Sequence, residues 1–258
     1  MEADKRLPQI RAAHEYISLC YALWLMVQAG PPRTVLEVTS PVTLTENFNL
    51  NKTRCHESSM IANPERFNKT IALFDAANAQ DPNLEEGLPK ELLYAQRMTD
   101  MIGRFAPHAS EVAQLAVRAQ HIRRWTVPRS NHPLGKPGYF AWRTGLYRFH
   151  AETAGELMRQ AGYDEAMIEQ VKAAVGKQEI KNNPDTQMLE DVSCLVFIEH
   201  YMLGFASQQP DYTEEKWLGI IRKTWKKMSS AAQAFATTGG IKLPEALVPL
   251  ILKAVAEG

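Results

Sequence analysis

From Asn63 onward the apolar residues return every three or four positions, and no segment alternates with period two. That pattern buries one stripe of a helix and leaves no half-buried strand to pair into a sheet. The punctuation agrees with it. Asn63-Pro64-Glu65 joins a capping side chain, a proline suited to the first turn and an acid at the positive end of the helix dipole. Phe67, Ile71, Leu73 and Phe74 follow at helical spacing to about Ala79, and Asp81-Pro82-Asn83 breaks the run. Pro89 opens a second helix with Leu92, Leu93, Met98, Met101 and Ile102 apolar, and Ser110-Glu111 opens a third. A Pro- and Gly-rich loop is expected over 126–138, then a long helix from about Tyr139 to Gln160, stopped by Gly162. Asp164 caps another to about Gly176, Pro184 opens the next, Thr213 caps one carrying Trp217, Ile220, Ile221 and Trp225, and a short last helix spans about Pro244–Val255. The reading is an all-α domain of about seven or eight helices over residues 60–258, without an internal repeat.

Residues 1–59 follow no such pattern. Pro31-Pro32 and the stretch 38–45 show neither a helical period nor a paired strand. The expectation is a poorly ordered or non-core extension, or sequence ahead of a true start at Met60. The competing reading is a targeting segment, with Tyr16–Ala29 as its apolar stretch behind Lys5, Arg6 and Arg11, although Glu2, Asp4 and Glu15 are mixed in.

Composition excludes several classes. Among 258 residues, 29 Lys and Arg balance 29 Asp and Glu, so whole-chain charge makes no case for a nucleic-acid coat or a membrane-surface protein. The apolar run Ile17–Val27 is far short of the ~20 residues of a membrane span. Cys20, Cys55 and Cys194 form no CxxC, which argues against a disulfide scaffold or a Cys-rich zinc module. No phosphate loop, GxGxxG or GxSxG occurs. A cytoplasmic location is expected, and oligomeric state stays open.

Charge is nevertheless unevenly placed. Between Val112 and Ala151 there is no Asp or Glu, while Arg118, Arg123, Arg124, Arg129, Lys136, Arg143 and Arg148 all fall there, interleaved with His121, His132, His150 and the aromatic Trp125, Tyr139, Phe140, Trp142 and Tyr147. Such a field attracts phosphate or carboxylate, which guanidinium groups recognise in a bidentate way. The alternative is that these cations pair with acids elsewhere, such as Glu152, Glu156 or Glu190. His121, His150 and the Glu190-Asp191 pair also sit on helices, where imidazoles and carboxylates from facing helices build hard-metal or zinc sites. The alternatives are hydrogen-bonded structural histidines and an Asp191 paired with the arginine cluster.

From His150 the residue order resembles the second half of the HD metal-dependent phosphohydrolase superfamily: His150-Ala151-Glu152-Thr153-Ala154-Gly155-Glu156-Leu157, then Gly162-Tyr163, then Leu189-Glu190-Asp191-Val192-Ser193-Cys194-Leu195. The resemblance implies that Asp191, His150 and His121 hold a divalent metal ion. Ile122 stands where the superfamily's paired Asp stands, no His falls near 91–94, and Lys177 stands near another His position, so the implied set is a rearranged one including Glu91.

Residues about 62–236 closely resemble a bacterial and fungal family called domain of unknown function 4202. They do so through Asn63-Pro64-Glu65-Arg66-Phe67, Glu91-Leu92-Leu93-Tyr94-Ala95-Gln96-Arg97-Met98, Ala119-Gln120-His121-Ile122-Arg123-Arg124-Trp125, Tyr147-Arg148-Phe149-His150 and Leu189-Glu190-Asp191-Val192. Members of that family are sometimes labelled glutamyl-tRNA synthetase. Lys226-Lys227-Met228-Ser229-Ser230 is similar to a synthetase signature loop, but the pattern places it on an amphipathic helix, and no His-x-Gly-His accompanies it.

Three functions are therefore expected in order. The first is metal-dependent hydrolysis of a phosphate-bearing substrate, with His121, His150 and Asp191 on the metal and Glu91 or Glu190 assisting. Tyr94, Arg123, Arg124, Arg143, Arg148 and Lys177 would hold the anion. The second is a non-catalytic binder of a nucleotide or other small anion. The third, disfavoured by the neutral total charge, is RNA binding.

Overall fold

The computed structural model describes residues 61–180 and 182–256; the expectations for residues 1–59 lie outside them. The chain is all-α, with ten α-helices among the described residues. They are α1 (Pro64–Asn78), α2 (Lys90–Phe105), α3 (Glu111–Ala119), α4 (Lys136–Ala161), α5 (Glu165–Val175), α6 (Pro184–Val196), α7 (Met202–Ser207), α8 (Glu214–Trp225), α9 (Ser230–Thr237) and α10 (Val248–Ala256).

The caps expected from sequence are made. Asn63, Ser110, Asp164 and Thr213 each accept a hydrogen bond from the backbone N–H three residues on, and ahead of Pro184 the structure adds a cap not read from sequence, Asn183, which accepts from Asp185 and Thr186. Each satisfies donors that a helix start leaves orphaned. At the other end of α4, Gly162 takes φ 98°, a left-handed conformation that stops the helix at little steric cost.

Four features depart from the sequence reading. α4 begins at Lys136, three residues before the expected start, because Pro137 occupies the first turn, where its missing N–H is not needed. Leu84–Glu85 and Leu88–Pro89 pair as a two-residue antiparallel hairpin, too short to register as a period. Its turn residues Glu86 and Gly87 both have positive φ. α6 runs on through a π-turn, Phe197–Tyr201, into α7. Finally, Lys226–Ser229 do not lie on a helix but join α8 to α9, with Ser229 capping α9.

α3 is the centre. It packs against α2, α5 and α6, with smaller contacts to α1 and α4. Val112, Ala113, Leu115, Ala116, Val117 and Ala119 are all buried. α4 packs along α5 and α1, and α10 lies on α8. The core runs from Phe74 and Met98 through Leu115 and Met158 to Ile168, Leu189 and Leu195.

Candidate functional site

The C-terminal end of α3 delivers Gln120 and His121 into the interior. Directly after it, Arg123 adopts φ 52°, and its backbone N–H donates to Asn78 Oδ1 at 3.0 Å. That left-handed residue turns the chain sharply, so that Arg124 follows as a buried side chain stacked over the Trp142 ring, 4.9 Å from its centroid. Trp142 is itself fixed by its Nε1–H donating to Val127 O at 2.9 Å.

His121, His150, Tyr94, Glu91 and Arg124 meet here. His121 stacks on Tyr94, ring centroids 4.3 Å apart, and its ring lies 5.9 Å from that of His150. Glu91, from the first turn of α2, places Oε2 3.4 Å from His121 Nδ1 and Oε1 4.0 Å from Arg124 Nε. Tyr94 Oη and Ser193 Oγ both donate to Gln120 Oε1 at 2.8 Å, which orients the Gln120 amide. Its Nε2 has no hydrogen-bond partner among the described residues.

His150 is held in one tautomer. Its Nδ1 lies 2.8 Å from Ile122 O, and a carbonyl only accepts, so Nδ1 carries the proton. Nε2 therefore presents a lone pair, buried and without a hydrogen-bond partner among the described residues. Burial, reinforced by His121 and Arg124, pushes His150 well below the usual imidazole range. Burial together with Arg124 and Lys177 does the same to His121. Both rings are thus neutral near pH 7. Burial pushes Glu91 up to about 7, against the pull of Arg124 and Lys90.

Lys177 enters from the turn after α5. Its φ is 54°, and Glu179 two residues later has φ 50°. Side-chain-bearing residues held there store strain of order 1–3 kcal/mol each, and such residues cluster at working sites. The turn carries the Lys177 ammonium inward to Glu190, which Lys227 also meets at 3.0 Å. Burial alone would raise Glu190, but the two lysines outweigh it and hold it at about 2.

Gln120, His121, Arg124, Leu146, Tyr147, His150, Val175 and Lys177 enclose a cavity of about 10 Å³, room for about one water-sized group. Two cations, two imidazoles and an amide line it, and no carboxylate does.

The residues singled out from sequence thus divide. His121, His150, Arg124 and Lys177 line the cavity, with Glu91 and Tyr94 directly behind His121. Glu190 stands behind Lys177. Asp191 is engaged elsewhere: it accepts from Ser229 N at 2.8 Å, Ser229 Oγ at 2.5 Å and Gln187 Nε2 at 2.9 Å. Among the described residues no group of three or more His, Cys, Asp or Glu is placed to hold a metal ion. Arg143 donates to Tyr147 Oη at 2.6 Å, behind the cavity wall, and Arg148 is exposed on the surface beside it. Arg123 contributes its backbone rather than its side chain. Gln120 and Tyr147 were not singled out as functional. Their adjacency to His121 and Arg148 in the motifs above was the available signal.

Fold and site define an all-α protein with a small, cation-lined, imidazole-bearing cavity beside the end of α3. The chain belongs to the family described as Domain of unknown function (DUF4202), whose model matches residues 68–251. Neither a curated protein nor a solved structure matches the chain. No helix among the described residues is long and apolar enough to cross a membrane.

Proposed function

We propose that the chain binds a small phosphate-bearing anion, with one corner of the anion held in the cavity. The observation that carries this reading is the lining: Arg124 and Lys177 with no carboxylate among the cavity walls. A lone anion oxygen entering there meets two cations and the Gln120 amide, whose Nε2 lacks a partner among the described residues. His150 Nε2 adds an acceptor for a P–OH proton, so the site suits a monoanionic phosphate, which both accepts and donates. The test is calorimetric titration with inorganic phosphate. Arg124→Gln is expected to weaken binding at least tenfold with helix content unchanged by circular dichroism. Undiminished affinity would mean that Arg124 is only a counter-ion to Glu91.

Metal-dependent hydrolysis is the second reading, supported by the His150 arrangement. A ring whose Nδ1–H is fixed by a backbone carbonyl has the tautomer of a metal ligand. Two imidazoles on one divalent ion, each ~2.1 Å from it, have ring centres roughly 5–6 Å apart, compatible with the 5.9 Å between His121 and His150. The third expected donor does not fit: Asp191 is committed to Ser229 and Gln187. Elemental analysis of the purified protein separates the readings. Stoichiometric metal lost on His150→Ala supports the second, and its absence alongside phosphate binding supports the first.

A further inference from the structure

The inner cavity takes one water-sized corner of an anion, so the remainder of any ligand has to lie outside it. A groove of about 340 Å³ between α4 and α5 adjoins it, within the size range of small-molecule sites. Tyr147 lines both spaces. Lys177, which lines the cavity, sits between Gly176 and Gln178, which line the groove. The two spaces therefore share one wall on each side: the Tyr147 ring on α4 and the strained 176–178 turn after α5.

The groove differs from the cavity in chemistry. Its floor is small, with Ala151, Ala173 and Gly176. Its sides carry donors and acceptors in alternation: Thr144 and Arg148 on one wall, Lys172 and Gln178 on the other, with Glu152 and Glu169 each paired to Lys172 at 3.2 and 2.7 Å. Hydroxyl groups match such a wall, because each both donates and accepts. Glu152 and Glu169 balance Lys172 and Arg148, so the groove offers no net positive charge for a second anionic end. We infer, building on the phosphate reading above, that the cavity and groove form one site for the monophosphate ester of a polyhydroxy compound, with the phosphoryl corner beneath Tyr147 and the hydroxylated body between α4 and α5.

The experiment titrates three probes, inorganic phosphate, glycerol 3-phosphate and glucose 6-phosphate, into the wild-type chain, Thr144→Trp and Arg124→Gln, with melting temperatures taken for each. Thr144 is exposed on the groove wall, so tryptophan there fills the groove without entering the core. At least one ester is expected to bind tenfold or more tightly than inorganic phosphate. Thr144→Trp removes that advantage and leaves the affinity for inorganic phosphate within twofold, whereas Arg124→Gln weakens all three probes. Esters binding no better than inorganic phosphate, or Thr144→Trp leaving their advantage intact, overturns the inference while the cavity reading stands. No binding of inorganic phosphate or of either ester overturns both.

Discussion

Arg118 and His121 lie three residues apart at the end of the same buried helix, yet their surroundings are built in opposite ways. Arg118 is fully matched: Nε and one terminal nitrogen meet the two Asp75 oxygens at 2.7 Å each, and the other nitrogen donates to Ala95 O and Thr99 Oγ1. At the far end of α3, Glu111 is likewise matched, accepting from Tyr163 Oη and from Ala62 N. Around His121 the accounting does not close. Glu91 Oε2, Gln120 Nε2 and His150 Nε2 are buried without hydrogen-bond partners among the described residues. A buried polar atom left unmatched costs about 1–3 kcal/mol, and Gln120 and His150 line a cavity with room for about one water-sized group to meet them. Within three residues, the chain passes from a charge whose partners are all supplied by the fold to a ring set beside a cavity.

The largest effect expected is on the matched side. Arg118→Ala strands Asp75 and two further acceptors, and should cost about 3 kcal/mol of unfolding free energy in urea, the lower part of the range for breaking a buried pair because Asp75 is partly exposed. Phosphate affinity measured in the same preparation should not move.

On the unmatched side the effect should depend on pH. With its carboxyl raised from 4.5 to about 7, the folded state holds a proton that the unfolded chain releases. The stability this contributes is present below about 4.5 and lost as pH rises through about 7. The histidines run the other way: depressed in the fold, they contribute above 6.5 and lose that contribution as pH falls below it. Glu91→Gln removes only the first of these. Its stability relative to the wild type should therefore increase from pH 5 to pH 8, by roughly 2–3 kcal/mol. A constant difference across that range would show Glu91 to be an ordinary ion-pair acid.

Ser229→Ala should cost about 1–2 kcal/mol, since it removes both the cap of α9 and the Asp191 bond. Metal content and phosphate affinity should stay as they were. A coupled loss of metal would place Asp191 with the imidazoles after all. The smallest effect is expected from His150→Leu. It forfeits one bond to Ile122 O and should lower stability by about 1 kcal/mol or less, while phosphate binding falls tenfold or more.

How far sequence could see follows from how local each signal is. Helix starts were legible because Asn63, Ser110, Asp164 and Thr213 act on donors three residues away. The α8–α9 junction was not, because the alanine-rich stretch after Ser229 continues a helical pattern across it. In the site, His121 and His150 were recognisable by type and do come together. The partners of the acids were not. Glu190 and Asp191 are adjacent, but successive helical residues point about 100° apart. Glu190 therefore reaches Lys177 and Lys227, while Asp191 turns to Ser229. Likewise, the acid that neutralises Arg118 is Asp75, 43 residues earlier, which no spacing rule identifies.

The burial of α3 also constrains the order in which the molecule can be made. Nine residues are too few for a helix to persist alone in water. Two of the walls that enclose α3 belong to α5 and α6, so its environment is incomplete until the chain has been synthesised through Val196. Until then Arg118 can already find Asp75, but His121 lacks the Lys177 and Ser193 side of its surroundings. A ribosome-bound chain halted at Gly176 would hold the structural half of that helix and not the cavity, whose last lining residue is Lys177.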